Sequence, residues 1–236
     1  MKLVFLGKIV DWIRKLLRGS LKMTFDKISL KHLDFQEQEV AKQTKENFPA
    51  YFDDATEGMN LYLDFIGDLM SKINNSNQQI EHYAFWQLYR NLYTMKAIYN
   101  LINTGHYFDV MILLRSVFES NITVFFLHKN PEHLNMAIRD YKQFGWKFSM
   151  SNRLTGLNQR VHDAYFVDYQ NLCRFTHPNV LNITAMFSSN SEMNSYPYGV
   201  LYSEKDALLT IYLFTRYLGM TLDCAQFVFQ GIIKAT

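Results

Sequence analysis

The stretch Val110–Phe126, VMILLRSVFESNITVFF, decides the fold. On a helical wheel Phe108, Ile112, Ile122 and Phe126 fall on one face with Arg115 and Glu119, while Val110, Leu113, Val117 and Val124 fall opposite. A helix apolar on both faces is buried by its neighbours, in a protein core or in a bilayer. The charges separate the two cases. Arg115 or Glu119 at a bilayer centre would cost ~2.5 to 3.5 kcal/mol each, and Ser116, Ser120, Asn121 and Thr123 add further polarity. The stretch therefore reads as the core helix of a bundle, with Arg115 and Glu119 inside it or lining a cleft in it, each needing a partner. Arginine placed N-terminal to glutamate at i,i+4 is the weaker order for a local pair, so both are expected to reach across to other helices.

Composition agrees with a packed helical protein. Hydrophobic residues make up 48% and aromatics 16% against 19% charged, a balance that excludes a disordered chain, and 236 residues suit one domain with an appended element. A net charge of +2 is too mild for bulk attraction to nucleic acid, so any such contact must come from a local cluster. Cys173 and Cys224 form no CxxC pair, so neither a zinc site nor a disulfide framework is indicated, and a reducing cytoplasm fits. The Glu-x-x-His pair of a di-metal helical enzyme is absent. No metal and no cofactor is expected.

Working outward, the prolines at 49, 131, 178 and 197 punctuate strongly periodic segments, as helix starts and stops do. The plan is all-α. Residues 2–22 form a basic amphipathic segment, with Leu3, Leu6, Val10, Ile13 and Leu17 on one face and Lys8, Lys15 and Arg18 on another. A peripheral membrane helix, a dimer contact and a docking helix for a partner protein all fit it. Its apolar run stops at Gly7, unlike a secretory signal, and Met23 allows a later start. Residues 1–48 read as extension and linker, and 49–236 as the bundle domain. Within that domain helices are expected at about 54–73, 78–104, over the opening stretch 110–126 and ending before Asn130, from Pro131 onward, at 158–176, and from an N-capping Ser203 to about 234. Gly105 is a left-handed C-cap that folds the second and third of these into a hairpin. Between residues 183 and 202, turn residues flanked by β-formers fit a short β-hairpin or an ordered loop. The aromatic run Tyr83–Asn100, YAFWQLYRNLYTMKAIYN, reads as core packing rather than as a base-stacking platform with Arg90 and Lys96.

A second polar concentration lies at Asp168–Asn179, DYQNLCRFTHPN. Tyr169, Cys173 and His177 repeat at i, i+4 and i+8, sharing one helix face near its C-terminal end, where the dipole favours a charged imidazole. Pro178 turns the chain away and opens that ring to a cleft, where it can act as acid or base near neutral pH. Each of these groups also has a plainer role: a buried network for Arg115 and Glu119, a helix cap for His177, and packing for Tyr169 and Cys173. His106, His128, His133 and His162 lack ligand-like spacing and suit helix ends or the surface.

The combination of Gly105–Glu132, GHYFDVMILLRSVFESNITVFFLHKNPE, with the later YQNLCRFTHPN resembles an uncharacterised bacterial family of helical proteins. Its pattern is a glycine turn, an R-S-x-x-E helix and a Y-x-x-L-S-x-x-x-H-P segment, with Cys173 here at the serine position. That family in turn resembles the HEPN superfamily of helical bundles, which includes toxin and phage-defence ribonucleases and inactive binding members. The resemblance covers roughly residues 50–235 as a helix plan. It implies a cytoplasmic, HEPN-like effector cleaving RNA without metal, acting as a homodimer and held by an antitoxin or other regulatory protein. Arg115, Glu119 and His177 would be its catalytic residues, and Tyr169, Arg174 and Ser116 would bind substrate. HEPN ribonucleases carry an arginine four to six residues before a histidine, a spacing missing here, because Arg174 is too close to His177. Arg115 would then stabilise phosphate charge, Glu119 would orient it or the imidazole, and His177 would move the proton. The alternative is a non-catalytic helical module that binds a protein or nucleic acid.

Overall fold

Nine α-helices and one 3-10 turn make up nearly all of what the computed structural model describes, namely residues 30–74, 76, 78–157, 159–176 and 203–234. In chain order these are α1 Leu30–Asn47, α2 Pro49–Ile73, α3 Gln79–Asn103, α4 Tyr107–Lys129, the 3-10 turn Pro131–His133, α5 Leu134–Arg139, α6 Tyr141–Lys147, α7 Met150–Leu154, α8 Gln159–Thr176 and α9 Glu204–Lys234. The described residues contain no strand, so the protein is all-α as its periodicity predicts. The basic segment 2–22 and the candidate hairpin at 183–202 lie outside the described residues. The chain divides into two units, Met1–Phe35 and Gln36–Thr236. Of the first only the opening turns of α1 are described.

Local chemistry sets most boundaries. Pro49 occupies the first turn of α2, where a missing N–H costs nothing, so this helix begins ahead of the expected 54. Gly105 adopts φ 80°, the left-handed conformation that spares a glycine the Cβ clash, and the His106 N–H closes back on the Leu101 carbonyl at 2.9 Å. The chain reverses there, and α3 and α4 pack as the expected antiparallel hairpin. The single helix expected after Pro131 is instead a 3-10 turn followed by α5 and α6, broken at Asp140. Its carboxylate accepts from the Gln143 N–H at 2.9 Å, and this N-cap starts α6 afresh. Ser203 caps α9 as predicted, its hydroxyl accepting from the Asp206 N–H at 3.3 Å.

Helix α4 is the centre of the bundle and packs against α3, α7, α8 and α9. It is the one described helix long and apolar enough to cross a membrane, yet most of its apolar window is buried by its neighbours. Val110, Leu114, Val117, Phe118 and Val124 are fully buried, together with Leu88, Met95 and Ile98 of α3 and Phe214 and Phe229 of α9. Gly58 lets α2 approach α9, because a Cβ there would meet the Leu218 side chain at 2.8 Å. A polar pin crosses this core: Asn91 Nδ2 donates to Asn121 Oδ1 at 2.9 Å, and Asn121 Nδ2 donates to Thr221 Oγ1 at 2.8 Å. One amide of α4 thus fixes α3 and α9 in register, since any slip would strand buried polar atoms. The more open face of α4 is the one carrying Ile112, Arg115 and Glu119.

Candidate functional site

Arg115 and Glu119 bond each other. Arg115 Nε donates to Glu119 Oε1 at 2.8 Å, with the two side chains 23% and 29% exposed, whereas the residue order favours bonds to other helices. The cross-helix contact that compensates is with α8, where the Arg115 guanidinium lies 5.7 Å from the centre of the Tyr169 ring. Burial alone would lower the Arg115 pKa, but the hydrogen bond and charge of Glu119 outweigh it and the net shift is upward. Tyr169 stacks on Phe118 of the core, and burial, followed by a hydrogen bond with Cys173, pushes its phenol up. On the same helix Asp168 meets Arg216 of α9 at 2.6 Å.

The expected constellation of Arg115, Glu119 and His177 is described only in part. His177 lies outside the described residues, as does the side chain of Arg174. Arg115, Glu119 and Tyr169 are together at the α4–α8 contact. Ser116 lies elsewhere on α4 and accepts a hydrogen bond from Arg90 Nη2 of α3 at 2.7 Å.

That bond opens onto a groove of about 900 Å³ walled by α3 and α4 and closed on the far side by α5 and the start of α6. Gln87, Arg90, Ser116, Glu119, Ser120 and Thr123 line its floor. Trp86 of α3 and Tyr141 of α6, each 58% exposed, stand at its rims, with Ile138 and Arg139 beside Tyr141. Glu119 is the one carboxylate among these lining residues, and Arg115 already engages it. Neither Arg90 nor Arg139 has a carboxylate within ion-pair distance among the described residues. Behind the floor, Arg153 of α7 is buried and has no carboxylate within ion-pair distance among the described residues. Its Nη1 donates to Thr123 Oγ1 at 2.9 Å, its Nε donates to the Phe148 carbonyl at 2.8 Å, and the Phe144 ring lies 4.8 Å away. Tyr83 sits among these charges. Burial pushes its phenol up, Tyr141 adds to that shift, and Arg153 and Arg90 oppose it.

The groove is therefore electropositive, with flat rings at its mouth. It suits a ligand that presents an anionic group beside a planar ring. Among the described residues no group of three histidine, cysteine or acidic side chains gathers as a metal ion would require. The aromatic run Tyr83–Asn100 is divided between core and surface. Phe85, Leu88, Leu92, Met95 and Ile98 build the core, while Trp86 and Tyr93 face out. The separation of Trp86 and Arg90 by one helical turn is the sequence signal for the groove's α3 wall. Arg139 and Tyr141 carry no comparable pattern, because their place depends on the break at Asp140.

Residues 81–149 match the model of DUF5677, a family of unknown function. That span runs from the first turn of α3 past the end of α6, so it holds both walls of the groove and every residue lining it except Gln79. It includes Arg115, Ser116 and Glu119 but stops short of Tyr169 and His177, and it makes no connection to HEPN proteins. No curated protein and no solved structure matches the chain.

Proposed function

We propose that the protein is an RNA-binding helical effector and that RNA lies in the groove between α3, α4 and α5–α6. The observation that carries this reading is the pairing of two arginines that meet no carboxylate among the described residues, Arg90 and Arg139, with the exposed rings of Trp86 and Tyr141 in one hollow. Guanidinium groups neutralise phosphates and release counterions, and aromatic faces stack on bases whatever their identity. The test is a titration of fluorescently labelled single-stranded RNA, read by anisotropy at several salt concentrations. Wild type should bind, and the Arg90→Met/Arg139→Met double variant should bind at least about tenfold more weakly, with a shallower salt dependence. Absence of binding by the wild type at low salt would end the proposal.

Cleavage of the bound RNA is a second reading, favoured by one contact. Glu119 lines the groove while its partner Arg115 rests on Tyr169, whose helix leads to His177. In this reading Arg115 stabilises the charge of the crowded phosphate, Glu119 holds the guanidinium, and His177 transfers a proton to or from the ribose or leaving oxygen. RNA cleaved by wild type and left whole by Arg115→Met and His177→Ala would support it. RNA bound but never cut by wild type would leave binding alone.

A further inference from the structure

We infer that the groove is a site for a single nucleotide unit, with its phosphate on Arg90, Ser116 and Gln87 and its base against Trp86 or Tyr141. This deepens the RNA reading and rests on the same groove, but it specifies the ligand chemistry and the part each residue plays.

The donor inventory points to the phosphate position. Arg90 Nη2 is spent on Ser116 Oγ at 2.7 Å, which fixes the guanidinium while its other N–H groups stay available. Having accepted that bond, the Ser116 hydroxyl directs its own proton elsewhere. One turn along α4, Ser120 Oγ donates to Gln87 Oε1 at 3.2 Å, which sets the Gln87 amide with its carbonyl toward Ser120 and its NH₂ free to donate. Three donors from two helices thus line one hollow on the α3–α4 hairpin, where an anionic acceptor can engage them together. Thr123 cannot join them, because its hydroxyl donates to the Glu119 carbonyl at 2.7 Å and accepts from Arg153. The Arg153 charge behind it still raises the local potential, since this buried cation meets no carboxylate among the described residues and is poorly screened.

Size limits the ligand. About 900 Å³ falls in the range that encloses one drug-sized molecule rather than a long track of polymer. A phosphate on Arg90 lies one helical turn from Trp86, and Tyr141 offers a second ring on the opposite wall, so a nucleoside 5′-monophosphate matches the groove's chemistry. The unit has two sources, a free nucleotide or one residue of an RNA strand.

Calorimetric titration of the full chain with adenosine 5′-monophosphate, adenosine and inorganic phosphate, beside a labelled RNA hexamer, separates the outcomes. The monophosphate should bind about tenfold or more tightly than adenosine. Arg90→Met should bring the monophosphate down to the level of adenosine, and Ser116→Ala should shift it in the same direction. Trp86→Ala or Tyr141→Ala should weaken nucleotide and nucleoside together, by about five- to a hundredfold. Circular dichroism of each variant checks its fold. Equal binding of monophosphate and adenosine, or a monophosphate indifferent to Arg90→Met, would overturn the inference. RNA bound through Arg90 with no binding of the monophosphate would also overturn it while leaving the RNA reading intact. Monophosphate bound with no RNA binding would instead remove the RNA reading and identify the free nucleotide as the ligand.

Discussion

Arg90 of α3 donates to Ser116 of α4 at 2.7 Å, and this bond joins the two walls of the groove. Arg90 is exposed and meets no carboxylate among the described residues, so the contact adds little to folding. Arg90→Met should therefore change stability by no more than about 0.5 kcal/mol in chemical denaturation. A larger loss would mean that the arginine is part of the scaffold and would remove the main support for a binding role.

The core amide behaves differently. Asn121 is buried and bonded to both Asn91 and Thr221, so Asn121→Ala leaves the Asn91 NH₂ group without its acceptor. The expected cost is on the order of 2 kcal/mol or more, from an unsatisfied buried donor and a small cavity. Urea titration measures it, and an unchanged midpoint would show that the pin carries no register energy.

Acid should weaken the fold through His128. Burial, the larger cause, lowers the pKa of this imidazole below its ordinary value; Glu81 opposes the shift and Lys129 adds to it. Nδ1 is buried without a hydrogen-bond partner among the described residues. The unfolded chain takes up the proton near pH 6.5 while the fold resists it, so the stability from a neutral ring is complete above about pH 6.5 and is lost as pH falls. His128→Leu should flatten the decline in melting temperature between about pH 7 and pH 5. Identical acid limbs for the variant and the wild type would contradict this.

Alkali acts through Cys224. Burial first, and then the charge of Asp223, push its thiol up to about 12. In the unfolded chain it ionises near ~8.5, so the stability it confers is present below that pH and lost progressively above it. At pH 8 a thiol reagent should modify Cys173 and reach Cys224 only as fast as the protein unfolds. Rapid labelling of both cysteines under native conditions would show the core to be open.

The helix plan was legible because its signals are local. Periodicity marks α2 to α4, α8 and α9, Gly105 turns the hairpin, and Ser203 caps the last helix. The break at Asp140 is not visible in the periodicity, since the Pro131 start predicts one continuous helix and an aspartate's strength as an N-cap shows only once the chain turns there. For the site, the wheel placed Arg115 and Glu119 on one face but not their mutual bond. Residue order alone disfavours that pair, and only the Tyr169 ring across the gap, a tertiary fact, makes the arrangement favourable. Arg90 and Arg139 were harder still to connect. They come from helices separated by all of α4, and a groove is made by packing, which no single segment encodes.

Photochemical crosslinking of bound RNA, with peptide mapping of the adducts, tests the central claim most directly. Adducts concentrated on Trp86 and Tyr141, and reduced in Arg90→Met/Arg139→Met, are the result expected if the α3–α4 groove is where nucleic acid lies. Efficient crosslinking that avoids both rings and is indifferent to those arginines would contradict it.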